Sequence, residues 1–186
     1  MRTSLCLFTA LFPALLLTGA PVFAQDAKTV LHAPDVIYVP TPPEVVEEML
    51  KIADVKKGDV LYDLGSGDGR IAVTAAKKYG IRAVGIDIDP DRIREANENA
   101  KKAGVEKLVR FRNEDLFKAN ISEATVVTLY LLPDLNVKLR PRLWNELKPG
   151  TRIVSHQFDM AEWKPEKQME LNGRTIYFWT IPPRKQ

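Results

Sequence analysis

Past residue 40 the apolar positions of the chain switch repeatedly between helical and strand spacing. Val45, Val46, Met49, Leu50 and Ala53 fall three and four apart, which predicts an amphipathic helix that has ended by Gly58. Thr41 and Glu44 stand at N-cap and N3 spacing, so a capping box is expected, with Pro42 and Pro43 in the first turn. Val60 to Leu64 is a short apolar run that enters Gly65-Ser66-Gly67-Asp68-Gly69. Ile71, Ala72, Ala75, Ala76 and Tyr79 then share one helical face, closed by Gly80. Ala83 to Asp87 repeats the strand pattern, and Asp89-Pro90 caps a helix through Ile93, Ala96, Ala100 and Ala103 to Gly104. Further strands are predicted at Leu108 to Phe111, Ala124 to Leu131 and Arg152 to Ser155. Leu135, Leu139, Leu143 and Leu147 give helical spacing between the last two, interrupted at Pro141.

Strands alternating with helices mean a parallel sheet with right-handed crossovers. The alternation stops at Gln168 to Leu171 and Thr175 to Ile181, which flank Asn172-Gly173, a strong hairpin signal. Five βα units closed by an antiparallel hairpin predict an α/β fold with a seven-stranded, mostly parallel sheet. Residues 58–186 form that domain, preceded by an arm and helix over residues 25–57.

The first 24 residues read differently. Arg2 precedes an apolar run from Leu5 to Leu17, and Val22 and Ala24 offer small side chains at −3 and −1, a signal-peptide pattern with cleavage after Ala24. An uncleaved anchor is the other reading, since residues 3–25 carry no charge and a bilayer span needs about 20 residues. Pro13 and Thr18-Gly19-Ala20-Pro21 make it a poor span. Either way Arg2 stays inside and the rest of the chain is exported, periplasmic, secreted or held at the membrane. Cys6, the single cysteine, lies in this segment and excludes an internal disulfide framework. A net charge of +3, with basic residues scattered, calls for neither nucleic acid nor acidic lipid.

Chemistry concentrates at the glycines. A glycine-rich turn from strand to helix lets main chain approach a ligand closely. Arg70 stands where a dinucleotide fingerprint needs its last glycine, and no Gly-Lys-Ser/Thr follows, so both common phosphate motifs fail. Asp63 precedes the loop, where it repels a phosphate and attracts an ammonium. Asp87, at the end of the second strand, is placed to accept both ribose hydroxyls. Asp115, beside Leu116 after the third strand, is placed to accept from an adenine amino group. A nucleoside bearing a cationic amino acid is S-adenosylmethionine, and the glycine turn Gly65, Ser66 and Gly67 would cradle it. No metal is assigned.

Asp63-Leu64-Gly65-Ser66-Gly67-Asp68-Gly69-Arg70 resembles motif I of class I methyltransferases, which have a Rossmann-like fold. Tyr38-Val39-Pro40-Thr41-Pro42, Ala124 to Leu132 and Glu146 to His156 further resemble a lysine methyltransferase group. That group contains archaeal broad-specificity protein lysine methyltransferases and the mitochondrial enzymes that modify the ATP synthase c-subunit and the adenine nucleotide translocator. The likeness spans about residues 36 to 181. It implies that the arm through Tyr38 and Thr41 folds over the methionine end of the cofactor, and that the substrate is a protein lysine, with a membrane protein among the candidates.

Methyl transfer is an in-line displacement, to which the protein contributes mainly position and exclusion of water. A lysine must first lose its proton, at a cost of about 4.6 kcal/mol from pKa ~10.4 to pH 7. A dry approach beside a sulfonium lowers that pKa. Enzymes that methylate bases or amides resemble one another in an Asn/Asp-Pro-Pro-Tyr segment after the fourth strand. This chain has Thr128-Leu129-Tyr130-Leu131-Leu132-Pro133, which argues against nucleic acid. Tyr130, as an aromatic wall of a lysine channel, and His156, as a proton shuttle, are the catalytic candidates; the competing readings are a core aromatic for Tyr130 and an ordinary hydrogen-bonded loop-edge histidine for His156. His32 has no evident role, and Trp144, Trp163 and Trp179 read as packing. Two other functions stay open. One is a small-molecule amine or phenol methyltransferase, and the other an exported nucleoside-binding protein without catalysis. The cofactor is made in the cytoplasm, so an exported enzyme would need it supplied.

Overall fold

The computed structural model describes residues 38–184. The signal or anchor segment, Cys6, His32 and the arm before Tyr38 lie outside the described residues.

Helix α1, Pro43–Ile52, is followed by β1, Val60–Leu64, α2, Arg70–Tyr79, and β2, Arg82–Asp87. Then come α3, Pro90–Ala103, β3, Val109–Asn113, β4, Val126–Leu129, and α4, Pro133–Glu146. The chain closes with β5, Arg152–His156, β6, Lys167–Leu171, and β7, Arg174–Thr180. The seven strands form one sheet in the order β3-β2-β1-β4-β5-β7-β6. The first five are parallel, and β7 runs antiparallel to both β5 and β6. Asn172 and Gly173 turn the hairpin with φ of 52° and 74°, left-handed values that this pair adopts readily.

Both faces of the sheet are buried, so the central strands read as continuous apolar runs. Val45, Met49, Leu50, Ile71 and Ala75 pack α1 and α2 onto Leu61, Ala83 and Val126 on one face. Leu139, Leu143 and Leu147 pack against Leu64, Ile86, Val127, Ile153 and Trp179 on the other. The order reverses at β1 and β4, and in open α/β sheets ligands bind beyond the carboxyl ends of the strands at such a point.

Three sequence expectations are corrected. Thr41 does not cap α1: Pro42 is the N-cap and no side chain caps it, because the Thr41 hydroxyl is engaged with His156. No helix joins β3 to β4, where residues 114–125 carry turns built on Asp115 and Asn120 instead of an apolar helical face. Pro141 does not interrupt α4; it lies on the exposed side of the helix.

Candidate active site

The floor of the site is the turn that leaves β1. Gly65 and Ser66 both donate main-chain N–H groups to the Ile86 carbonyl, at 2.8 and 3.0 Å, which folds the chain back across β2. Gly67 has φ of 52°, and a Cβ built there would overlap the Tyr38 ring. Only glycine permits both this backbone and that ring contact.

Three carboxylates project around the turn. Parallel pairing sets Asp63 beside Thr128, whose hydroxyl donates to Asp63 Oδ1 at 2.8 Å. Asp63 is 2% exposed. Burial pushes its carboxyl up to about 7, against the Thr128 bond, and the charges of Asp87 and Asp68 add to the rise. Asp87 accepts from Gly67 N at 2.7 Å through one oxygen and from Asp89 N at 3.0 Å through the other. Asp115 accepts from Phe117 N at 2.8 Å, and Lys118 Nζ lies 3.5 Å from its other oxygen. The Ser66 hydroxyl is buried with no partner among the described residues.

Opposite the turn, the arm forms a wall. The Tyr38 ring lies on Gly67, with the Arg92 guanidinium 4.9 Å from its centroid. Burial, together with the charge of Asp68, raises the Tyr38 phenol above its usual range. Thr41 Oγ1 and His156 Nδ1 share a hydrogen bond of 3.1 Å. His156 is 1% exposed, and its Nε2 has no partner among the described residues. Burial, with Arg174 adding to it, lowers the imidazole to about 4, so the ring is neutral at pH 7. It packs on Tyr130 with centroids 3.9 Å apart, and Phe158 continues the aromatic row at 6.3 Å.

These walls enclose a cleft with about 990 Å³ of empty space, its open mouth included. Tyr38, Thr41, Asp63, Gly65, Ser66, Asp87, Asp115, Leu116 and Tyr130 line it. Gly67 lies beneath Tyr38 and His156 behind Thr41 and Tyr130, so neither is in the lining. Asp68, Arg70, Arg92 and Phe117 also line the cleft and were not foreseen from the sequence. The first two stand inside motif I, where their types were visible but not their direction.

The lining fits a nucleoside that carries an amino acid. A partnerless buried hydroxyl, a turn into which a side chain would not fit, and a buried carboxyl that a cation would draw into its charged form are the features such a ligand needs.

Residues 63–167 match the ANTKMT methyltransferase domain. The chain is 46% identical over 159 residues to a protein-lysine N-methyltransferase of Saccharolobus islandicus, covering 83% of this chain and 99% of that one. It is 35% identical over 129 residues to the adenine nucleotide translocase lysine N-methyltransferase of Mus musculus, covering 69% of this chain and 56% of the relative, so it spans little more than half of that protein's length. Among solved structures, an RNA methyltransferase from Salinibacter ruber in complex with S-adenosyl-L-homocysteine superimposes with a TM-score of 0.78 at 60% identity, over 80% of this chain and 97% of that one.

Proposed function

The chain belongs to the ANTKMT methyltransferase domain family, and on that premise we propose that it transfers a methyl group from S-adenosylmethionine to the side-chain amine of a protein lysine. The observation that carries the lysine acceptor is the 46% identity to a protein-lysine N-methyltransferase along 99% of that protein's length.

When bound, S-adenosylmethionine supplies a methyl group on a sulfonium, ready for displacement by a nucleophile. The residues of the cleft divide the remaining work. Asp63 holds the ammonium of the methionine moiety, Asp87 the ribose hydroxyls, and Asp115 with Leu116 the adenine. The Ser66 hydroxyl supplies one further polar contact. At the far end Tyr130 faces the cleft, backed by Phe158 and the neutral His156, so this wall brings no ionic partner for an ammonium. An ammonium gains nothing by entering it, so it favours a lysine that has shed its proton. Tyr130 guides the amine, and His156 positions Tyr130 and the arm.

The Salinibacter ruber structure is described as an RNA methyltransferase, which raises a second reading. Against it stands the end of β4, where Thr128-Leu129-Tyr130-Leu131 replaces the Asn/Asp-Pro-Pro-Tyr segment of base-methylating enzymes and lacks its amide or carboxylate side chain. The basic side chains in the cleft are also engaged, Arg70 by Asp68 and Arg92 by Glu95.

The proposal includes export, or attachment to the membrane, through residues 1–25, supported by the charge and hydropathy pattern of that segment. A membrane protein is then within reach as the substrate. Among the described residues no helix is long and apolar enough to cross a membrane.

The test is to incubate the purified protein and methyl-labelled cofactor with membrane, soluble and RNA fractions of the source cell. Label recovered as methyl-lysine is expected. Label in RNA would establish the second reading, and cofactor binding without any macromolecular label would overturn the lysine acceptor in favour of a small-molecule acceptor or a binding protein without catalysis.

A further inference from the structure

The arm wall of the cleft is held differently from the others. Among the described residues no hydrogen bond between main-chain groups joins residues 38–41 to the rest of the molecule. Side chains do all the holding, and one residue supplies most of it. Arg70 Nη1 donates to the Thr41 carbonyl at 2.9 Å, and its Nη2 lies 3.4 Å from the Tyr38 hydroxyl. Asp68 aims the guanidinium, accepting from Nε and Nη2 at 2.9 and 2.7 Å. A planar fork can grip a carboxylate along one edge and still present a donor elsewhere, whereas a lysine ammonium is a point charge on a flexible stem.

We propose that Arg70 is a positioning residue that latches residues 38–41 against the glycine turn and so sets how fast cofactor and demethylated product exchange. The proposal rests on the cleft being the S-adenosylmethionine site. Tyr38, Val39, Pro40 and Thr41 all line that cleft, across from Asp63 and Asp87, so a ligand held between them is retained for as long as the arm stays down. Product must leave in every turnover, and release through a moving segment sets the rate of many enzymes. The Thr41 bond to His156, and the packing of His156 on Tyr130, tie the same arm to the acceptor wall.

The experiment uses the full chain with Arg70→Ala and Arg70→Lys. Chymotryptic cleavage after Tyr38 is followed without added ligand, and S-adenosylhomocysteine dissociation is followed by displacement. Thermal unfolding controls for loss of fold. Arg70→Ala should accelerate both cleavage and dissociation roughly tenfold to a hundredfold, the range for a lost charge-assisted hydrogen bond. Arg70→Lys should recover only part, and the unfolding midpoint should move by a few degrees at most. Dissociation and cleavage equal to the native chain's would overturn the latch, as would a lowered midpoint with unchanged dissociation. A native chain that binds no S-adenosylhomocysteine would remove the cofactor reading and the latch together; binding with an unmoved dissociation rate removes the latch alone.

Discussion

Strand β1 carries a buried carboxylate at each end, and the two are treated in opposite ways. Asp59, just before the strand, accepts from Lys56 N and from the Thr125 hydroxyl, each at 2.8 Å, and pairs with the Arg152 guanidinium. Arg152 in turn holds the carbonyls of Ala53 and Asp54, so the end of α1 is tied to β5. Asp63, at the other end, has a single hydroxyl partner and no cation among the described residues. A carboxylate that serves the architecture has its acceptors filled from within; one that serves a ligand is left short, and its raised pKa records the cost.

That contrast can be broken from either side. Arg152→Ala should cost most, on the order of 3 kcal/mol or more in urea unfolding, because it strands a buried charge. Cofactor affinity of the remaining folded protein should stay as it was. Asp63→Asn reverses the pattern. It should weaken S-adenosylmethionine binding about a hundredfold in calorimetry, as expected when a buried charge partner is removed. Stability at pH 8 should not fall.

Acidity gives a further handle on Asp63. Folding raises Asp63 from its ordinary value to about 7, so the native chain holds a proton there that the unfolded chain has released. This carboxyl therefore lowers stability progressively as pH rises from about 4 to 7 and by a constant amount above that. The difference between native and Asp63→Asn unfolding curves should open across that window, and a difference independent of pH would refute the assignment. Cofactor affinity should climb with pH over the upper part of the same window, as the ion that holds an ammonium forms. The smallest effect is expected from Thr128→Val, which removes the one bond favouring the charged form and should move that affinity profile upward by about one pH unit.

Much of this frame was legible in the sequence, for reasons that are local. Strand and helix spacing, the Asn172-Gly173 turn and the glycine loop each declare themselves within a few residues, and the acids at strand ends follow from the alternation. What escaped was how the arm is held. Thr41 stands three residues before Glu44 and looks like half of a capping box, yet its hydroxyl is taken by His156, 115 residues away. Arg70 looked like a broken fingerprint until its reach back to Thr41, across 29 residues, was visible. Asp87 shows the same limit in milder form: its position was foreseen, but not that Gly67 and Asp89 occupy one oxygen each. Such contacts follow from tertiary placement, and no spacing rule encodes them.

The place of β7 has a consequence for how the protein comes into being. This strand, last in the sequence, inserts between β5 and β6 and carries Trp179, which is fully buried. Until residues 174–180 have left the ribosome, β5 has no partner on that side and the core beneath α4 lacks one of its largest side chains. The half of the sheet bearing β1, β2 and β3 can assemble early from consecutive segments. The half that builds the acceptor wall must wait for residues 174–180, so the cofactor floor is laid before the wall that faces the substrate.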